Sequence, residues 1–127
     1  MDLMTIQLSK WRLARNRDIT VMDTTVKSGF SIYRPSWDMV MGYKSGQLTW
    51  DEYTQQYYQK MNASWKDPKE RPLWLATIES TEPTAIACMC RYEGPETHCH
   101  RFLLKDILDK LCQKRGIDFR YYGELSD

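Results

Sequence analysis

The apolar positions of this chain change period several times, and each change marks an element. From Thr84 to Cys90 the residues are small or apolar with almost no polar interruption, set between Glu82-Pro83 and Gly94-Pro95. An unbroken run of that kind suits a strand covered on both faces, so the pattern predicts a buried strand over 84–90. A second strand is predicted over 19–26, where β-branched residues dominate before the polar turn Lys27-Ser28-Gly29. Short alternating stretches predict an edge strand over 5–9 and a last strand over 117–122.

Helical spacing appears in two long segments. Leu104, Ile107, Leu108, Leu111 and Cys112 recur at three- and four-residue steps, which predicts a helix over 98–115. Thr97 is its expected N-cap, Lys110, Lys114 and Arg115 suit its carboxyl end, and Gly116 suits the residue beyond. The second helix is predicted over 49–64, with Thr49 and Glu52 spaced as a capping box and Trp50, Tyr53, Tyr57 and Met61 along one face. Such an aromatic stripe is more often core than a base-stacking platform. Residues 30–38 read as a loop closing into a short helix that ends at Gly42, and 73–80 as a helix opened by Pro72. The order of elements predicts a single α/β domain over 1–127. It would be a three-layer structure, with a small, mostly parallel sheet of about four strands and helices on both faces.

Composition narrows the picture without redirecting it. A chain of 127 residues has room for one such domain, and its net charge of +1 gives no global case for binding nucleic acid or membrane. No apolar stretch is long enough for a membrane span, and Met1-Asp2-Leu3-Met4 lacks the start of a signal peptide, so a cytoplasmic protein with reduced thiols is expected. Lys10, Arg12, Arg15 and Arg17 surround Trp11. That segment suits either a phosphate backbone or, more simply, a solvated helix or loop whose tryptophan packs inward.

The chemistry-bearing residues crowd at one junction. Cys88, Cys90, Glu93, His98, Cys99, His100 and Arg101 all fall between the end of the 84–90 strand and the first turn of the following helix. Helix-opening amides favour an anion, and Arg101 there makes sense if it faces a carboxylate or phosphate. Its ordinary alternative is a pair with Glu93 or Glu96. If the strands over 19–26 and 84–90 are parallel neighbours, Asp23, Thr25, Lys27 and Ser28 approach the same mouth, where open α/β sheets bind ligands. The competing reading is that Asp23 caps a turn and Lys27 faces solvent.

Several of these stretches together resemble a known family. Asp23-Thr24-Thr25-Val26-Lys27-Ser28-Gly29, Pro35-Ser36-Trp37, Gly42-Tyr43-Lys44-Ser45-Gly46, Trp50-x-x-Tyr53 with Tyr57, and Cys90-x-x-Glu93 before Cys99-His100-Arg101 are similar to the YeaO-like proteins, domain of unknown function 488, of bacteria and phages. The loop from Cys90 to Cys99 is longer than in that pattern. The resemblance implies a small single-domain α/β protein and supplies no reaction.

Three functional classes follow. In the first, an enzyme of nucleotide or DNA metabolism uses Cys99, His100 and Asp23 as catalytic groups. Arg101, Lys27, Ser28, Thr25 and Glu93 then hold a phosphate-bearing small molecule or nucleic acid. In the second, the same anion site serves a non-catalytic accessory module of phage type that binds nucleotide, nucleic acid or protein. In the third, Cys88, Cys90, His98, Cys99 and His100 hold a metal, although their spacing matches no recognised zinc knuckle, so no cofactor is expected.

Overall fold

The computed structural model describes residues 1–28 and 32–127. Gly29 of the expected turn, and Phe30 and Ser31 of the expected 30–38 loop, lie outside the described residues. Four parallel strands form one sheet: β1 (Asp2–Gln7), β2 (Thr20–Asp23), β3 (Thr84–Cys88) and β4 (Arg120–Leu125), in the order β2-β3-β1-β4. Around it stand α1 (Trp11–Arg15), α2 (Trp37–Lys44), α3 (Trp50–Lys66), α4 (Arg71–Glu79) and α5 (His100–Arg115). The α/β architecture with a small parallel sheet of four strands is therefore the one its sequence pattern predicts.

The first strand differs from expectation. It runs over residues 2–7 rather than 5–9, and it lies between β3 and β4 instead of at an edge. Leu3, Met4, Thr5 and Ile6 are all buried, so both faces of β1 are covered and the solvent alternation that marks an edge strand never arises. Leu3 and Ile86 face a core built with α3, α4 and α5, which includes Tyr57, Met61, Trp74, Leu104 and Leu108. Met4, Ile6, Ala85 and Ala87 face the other way, onto Ala14 and Leu13 of α1 and Leu125 of β4.

The other strand ends are set by local bonds. β2 stops at Asp23 because that carboxylate accepts from Thr25 N at 2.9 Å and from Ser28 Oγ at 3.1 Å, closing a turn where an extended strand to 26 was expected. β4 begins at Arg120, three residues later than the predicted 117. Gly116 first closes α5 at φ +67, and Ile117 N bonds back to the Cys112 carbonyl. Within β4 the register slips: Leu3 faces Tyr121 but Thr5 faces Glu124. Gly123, at φ +94, takes up the extra residue as a bulge, so Tyr121 and Glu124 share one face although three positions separate them.

Candidate functional site

β2 and β3 are parallel neighbours, with Asp23 beside Ala87, and their carboxyl ends open into a cavity of about 540 Å³. The opening of α5, the turn after β2, the amino-terminal turns of α3, and α2 surround it. Its aromatic side is Trp37, Tyr43, Trp50 and Tyr53; its floor is Cys88, Cys90, Cys99 and His100. Lys27 and Lys44 supply the cations on its wall.

The floor is assembled by three local events. β3 ends at Cys88, and a bend follows at Met89 and Cys90; Met89, 71 % exposed, lines the cavity together with both neighbouring thiols. Residues 91–98 then loop back, held by Thr97. Its Oγ1 accepts from Glu93 N at 2.7 Å and donates to the Gly94 carbonyl at 2.7 Å. Thr97 therefore closes this loop and is not the N-cap of α5, which is Cys99, in extended geometry at φ −150 with no side-chain cap bond. Freed from capping, the Cys99 thiol joins Cys88 and Cys90, and the three sulfurs lie within 4.8 Å of one another.

His100 fastens the helix to the sheet. Its Nε2 lies 2.9 Å from both the carbonyl and the Oγ1 of Thr24, while Thr24 Oγ1 donates to the Ala87 carbonyl at 2.9 Å. A carbonyl accepts only, and the threonine proton is already used, so Nε2 carries the imidazole hydrogen. Burial pushes the His100 pKa down to about 4. The ring is therefore neutral, and its bare Nδ1 faces Cys88 Sγ at 3.7 Å.

The thiols titrate as a coupled unit. Cys88 donates to Cys90 at 3.7 Å, and that bond is the first cause holding the Cys90 pKa far below an ordinary thiol, with a bond from Cys99 next. Donating to Cys90 raises Cys88 to about 11, while burial drives Cys99 upward. Arg101 nevertheless donates to Cys99 Sγ at 3.2 Å. The three thiols thus titrate as a coupled unit in which the bonds from Cys88 and Cys99 favour the thiolate form of Cys90.

Arg101 itself points inward. Its Nε and Nη2 donate to the two carboxylate oxygens of Glu124 at 3.2 and 3.0 Å, and Nη1 donates to the Cys90 carbonyl at 3.0 Å. Its side chain has no exposure and that of Glu124 only 3 %. Its carboxylate is neither Glu93 nor Glu96, and Arg101 is not among the cavity-lining residues.

Of the other expected site residues, Thr25, Lys27, Ser28, Cys99 and His100 line the cavity, whereas Asp23 and Glu93 do not. Asp23 spends both carboxylate oxygens on its turn. Thr25 Oγ1 lies 3.0 Å from Ser28 Oγ, which itself donates to Asp23, so these hydroxyls build the turn. Lys27 Nζ sits over the Trp37 ring at 5.3 Å. His98 stands apart from the thiols: its Nδ1 bonds Tyr43 Oη at 2.7 Å, and its ring stacks on Trp50 at 4.6 Å. The aromatic stripe divides, since Tyr57 and Met61 enter the core while Trp50 and Tyr53 also face the cavity.

Fold and site define a single α/β domain with an aromatic, thiol-floored cavity at the carboxyl edge of its parallel strands. The family model described as "Active DUF488-N3 subclade" matches residues 12–111, and the chain belongs to this family, DUF488-N3a. No curated protein and no solved structure matches it. Among the described residues no helix is long and apolar enough to cross a membrane.

Proposed function

We propose that the cavity binds a phosphate-bearing small molecule of nucleotide type and presents it to the thiol floor. The observation that carries this reading is the composition of that one cavity: aromatic rings on the wall, lysines beside them, and reactive sulfurs beneath. Ligand sites are concave and mostly apolar, with a few convergent polar groups, and open α/β sheets hold them beyond the strand ends. A flat ring fits beside Trp37, Tyr43 and Trp50, with its phosphate towards Lys27 and the first amides of α5. Arg101 supports this site from behind by holding Cys99 and the loop carbonyl of Cys90. The four cysteines are free, which suits a reducing compartment such as the cytoplasm.

The test is thermal unfolding with inorganic phosphate, mono- and dinucleotides and short single-stranded DNA and RNA, on wild type, Lys27→Ala and Trp37→Ala. A ligand at a hundred times its Kd adds about 2.7 kcal/mol, which moves the midpoint by several degrees. A mononucleotide shift in wild type that shrinks in both variants is expected. Absence of any shift across the panel, or equal shifts in all three proteins, defeats the reading. Recovery of the bound nucleotide after long incubation then separates an enzyme, which alters it, from a binding module, which returns it unchanged.

A further inference from the structure

We propose that Cys88, Cys90 and Cys99 form a three-thiolate zinc site whose fourth coordination position opens into the cavity. The separations are those a metal needs. A Zn–S bond of about 2.3 Å places the sulfurs of a tetrahedron about 3.8 Å apart. Here Cys88 and Cys90 stand 3.7 Å apart, and all three sulfurs lie within 4.8 Å of one another. The widest of these separations exceeds the tetrahedral spacing by no more than about 1 Å.

The surroundings match as well. Ligating thiolates are commonly oriented by outer hydrogen bonds, and Arg101 Nη1 already donates to Cys99 Sγ at 3.2 Å, locked in place by Glu124. The site is rigid on one side, where Cys88 closes β3 and Cys99 opens α5, and adjustable on the other, where Cys90 follows the bend. All three cysteines line the cavity, so the remaining position faces it. Structural zinc sites are closed by four protein ligands, whereas three protein ligands with an open position are the arrangement of catalytic ones. Soft sulfur donors favour zinc over magnesium, calcium or manganese. The sequence spacing conceals this site because the ligands converge through the bend at Met89-Cys90 and the folded loop 91–98, not through a compact knuckle.

The site does not depend on the nucleotide reading, and its test uses metal alone. Full-length protein, stripped of metal under reducing conditions, is titrated with zinc by calorimetry and with cobalt by absorption. Wild type should take up one zinc per chain. Its cobalt form should show the strong thiolate-to-metal charge-transfer band and the tetrahedral visible bands of a three-sulfur site. Loss of a ligand in Cys90→Ser should weaken zinc by on the order of 100-fold or more, since even outer-sphere changes cost 10–100-fold. Cys112→Ser, in the core far from the cluster, should bind as wild type does. Circular dichroism verifies that each variant is folded, and the cobalt spectrum of wild type reads the ligands without any variant. Binding that is substoichiometric, a cobalt spectrum without thiolate charge transfer, or equal affinity in folded Cys90→Ser would overturn the site. Failure of the nucleotide panel with zinc still bound would count against the ligand reading alone.

Discussion

His100 is the residue at which β2, β3 and α5 are tied, and it is tied in its neutral form. Through Thr24 it reaches the Ala87 carbonyl, and burial holds its pKa near 4 against an ordinary value of 6.5. The unfolded chain therefore binds a proton between those values that the folded chain refuses. Stability is full above about pH 6.5, falls as the pH drops, and has lost this contribution below about pH 4. A shift of that size corresponds to about 3 kcal/mol at order-of-magnitude level. Urea titrations of the metal-free protein across this window should show stability rising with pH. Because carboxylates also titrate there, the quantity to compare is the slope in wild type against that in His100→Gln, which should be shallower. Equal slopes would mean that His100 is not the group responsible.

At the scale of elements, α3 shows how far local rules reach. Thr49 Oγ1 accepts from Glu52 N at 3.1 Å and Glu52 Oε1 accepts from Thr49 N at 3.0 Å, so the capping box forms with both of its bonds. The exposed carboxylate of Glu52 is kept below its usual pKa by those bonds. Thr49→Ala should cost about 1 kcal/mol in a denaturant titration without altering ligand or metal binding. A coupled loss of zinc affinity would show that this helix end positions the floor as well as the wall. The opening of α5 obeys different forces. Thr97 has the residue type of a cap, yet the loop claims it, and Cys99 stands at the cap position with its sulfur in the cluster. A cap bond worth about 1 kcal/mol is absent there, and Thr97 makes two loop bonds instead.

For the whole molecule, the Arg101–Glu124 pair joins the far edge strand to the site. β4 has no direct pairing with β3, yet its Glu124 orients the guanidinium that holds Cys99 and the Cys90 carbonyl. Breaking a buried pair from one side leaves an uncompensated charge. Glu124→Ala should therefore cost about 3–5 kcal/mol in global unfolding, a large share of the stability of a domain of this size. Folded at low temperature, that variant should also hold zinc less tightly than wild type. A loss of under 1 kcal/mol would show that the pair is solvated and that Arg101 is held by the loop alone.

How much of this was legible in the chain depends on the range of the force involved. Periodicity and punctuation disclosed the α/β class, the buried strand from Thr84 (expected to reach Cys90, though β3 ends at Cys88), the cap of α3 and the closing Gly116, because each rests on residues within a few positions of one another. The clustering of thiols and imidazoles around α5 was visible too, but not what each does. Whether Arg101 faces a ligand or an internal carboxylate turned on the bulge at Gly123. It rotates Glu124 onto the face of Tyr121, against strict alternation and beyond the end of the strand expected over 117–122. The central place of β1 turned likewise on which strands flank it. The sequence by itself determined the elements and the inventory of reactive groups, through local backbone preferences and hydrophobic spacing. Only the tertiary structure decided that Cys88, Cys90 and Cys99 meet beneath an aromatic cavity while Asp23, Glu93 and Arg101 stand outside it, because that depends on strand order, a one-residue slip and a loop folded back across the sheet edge.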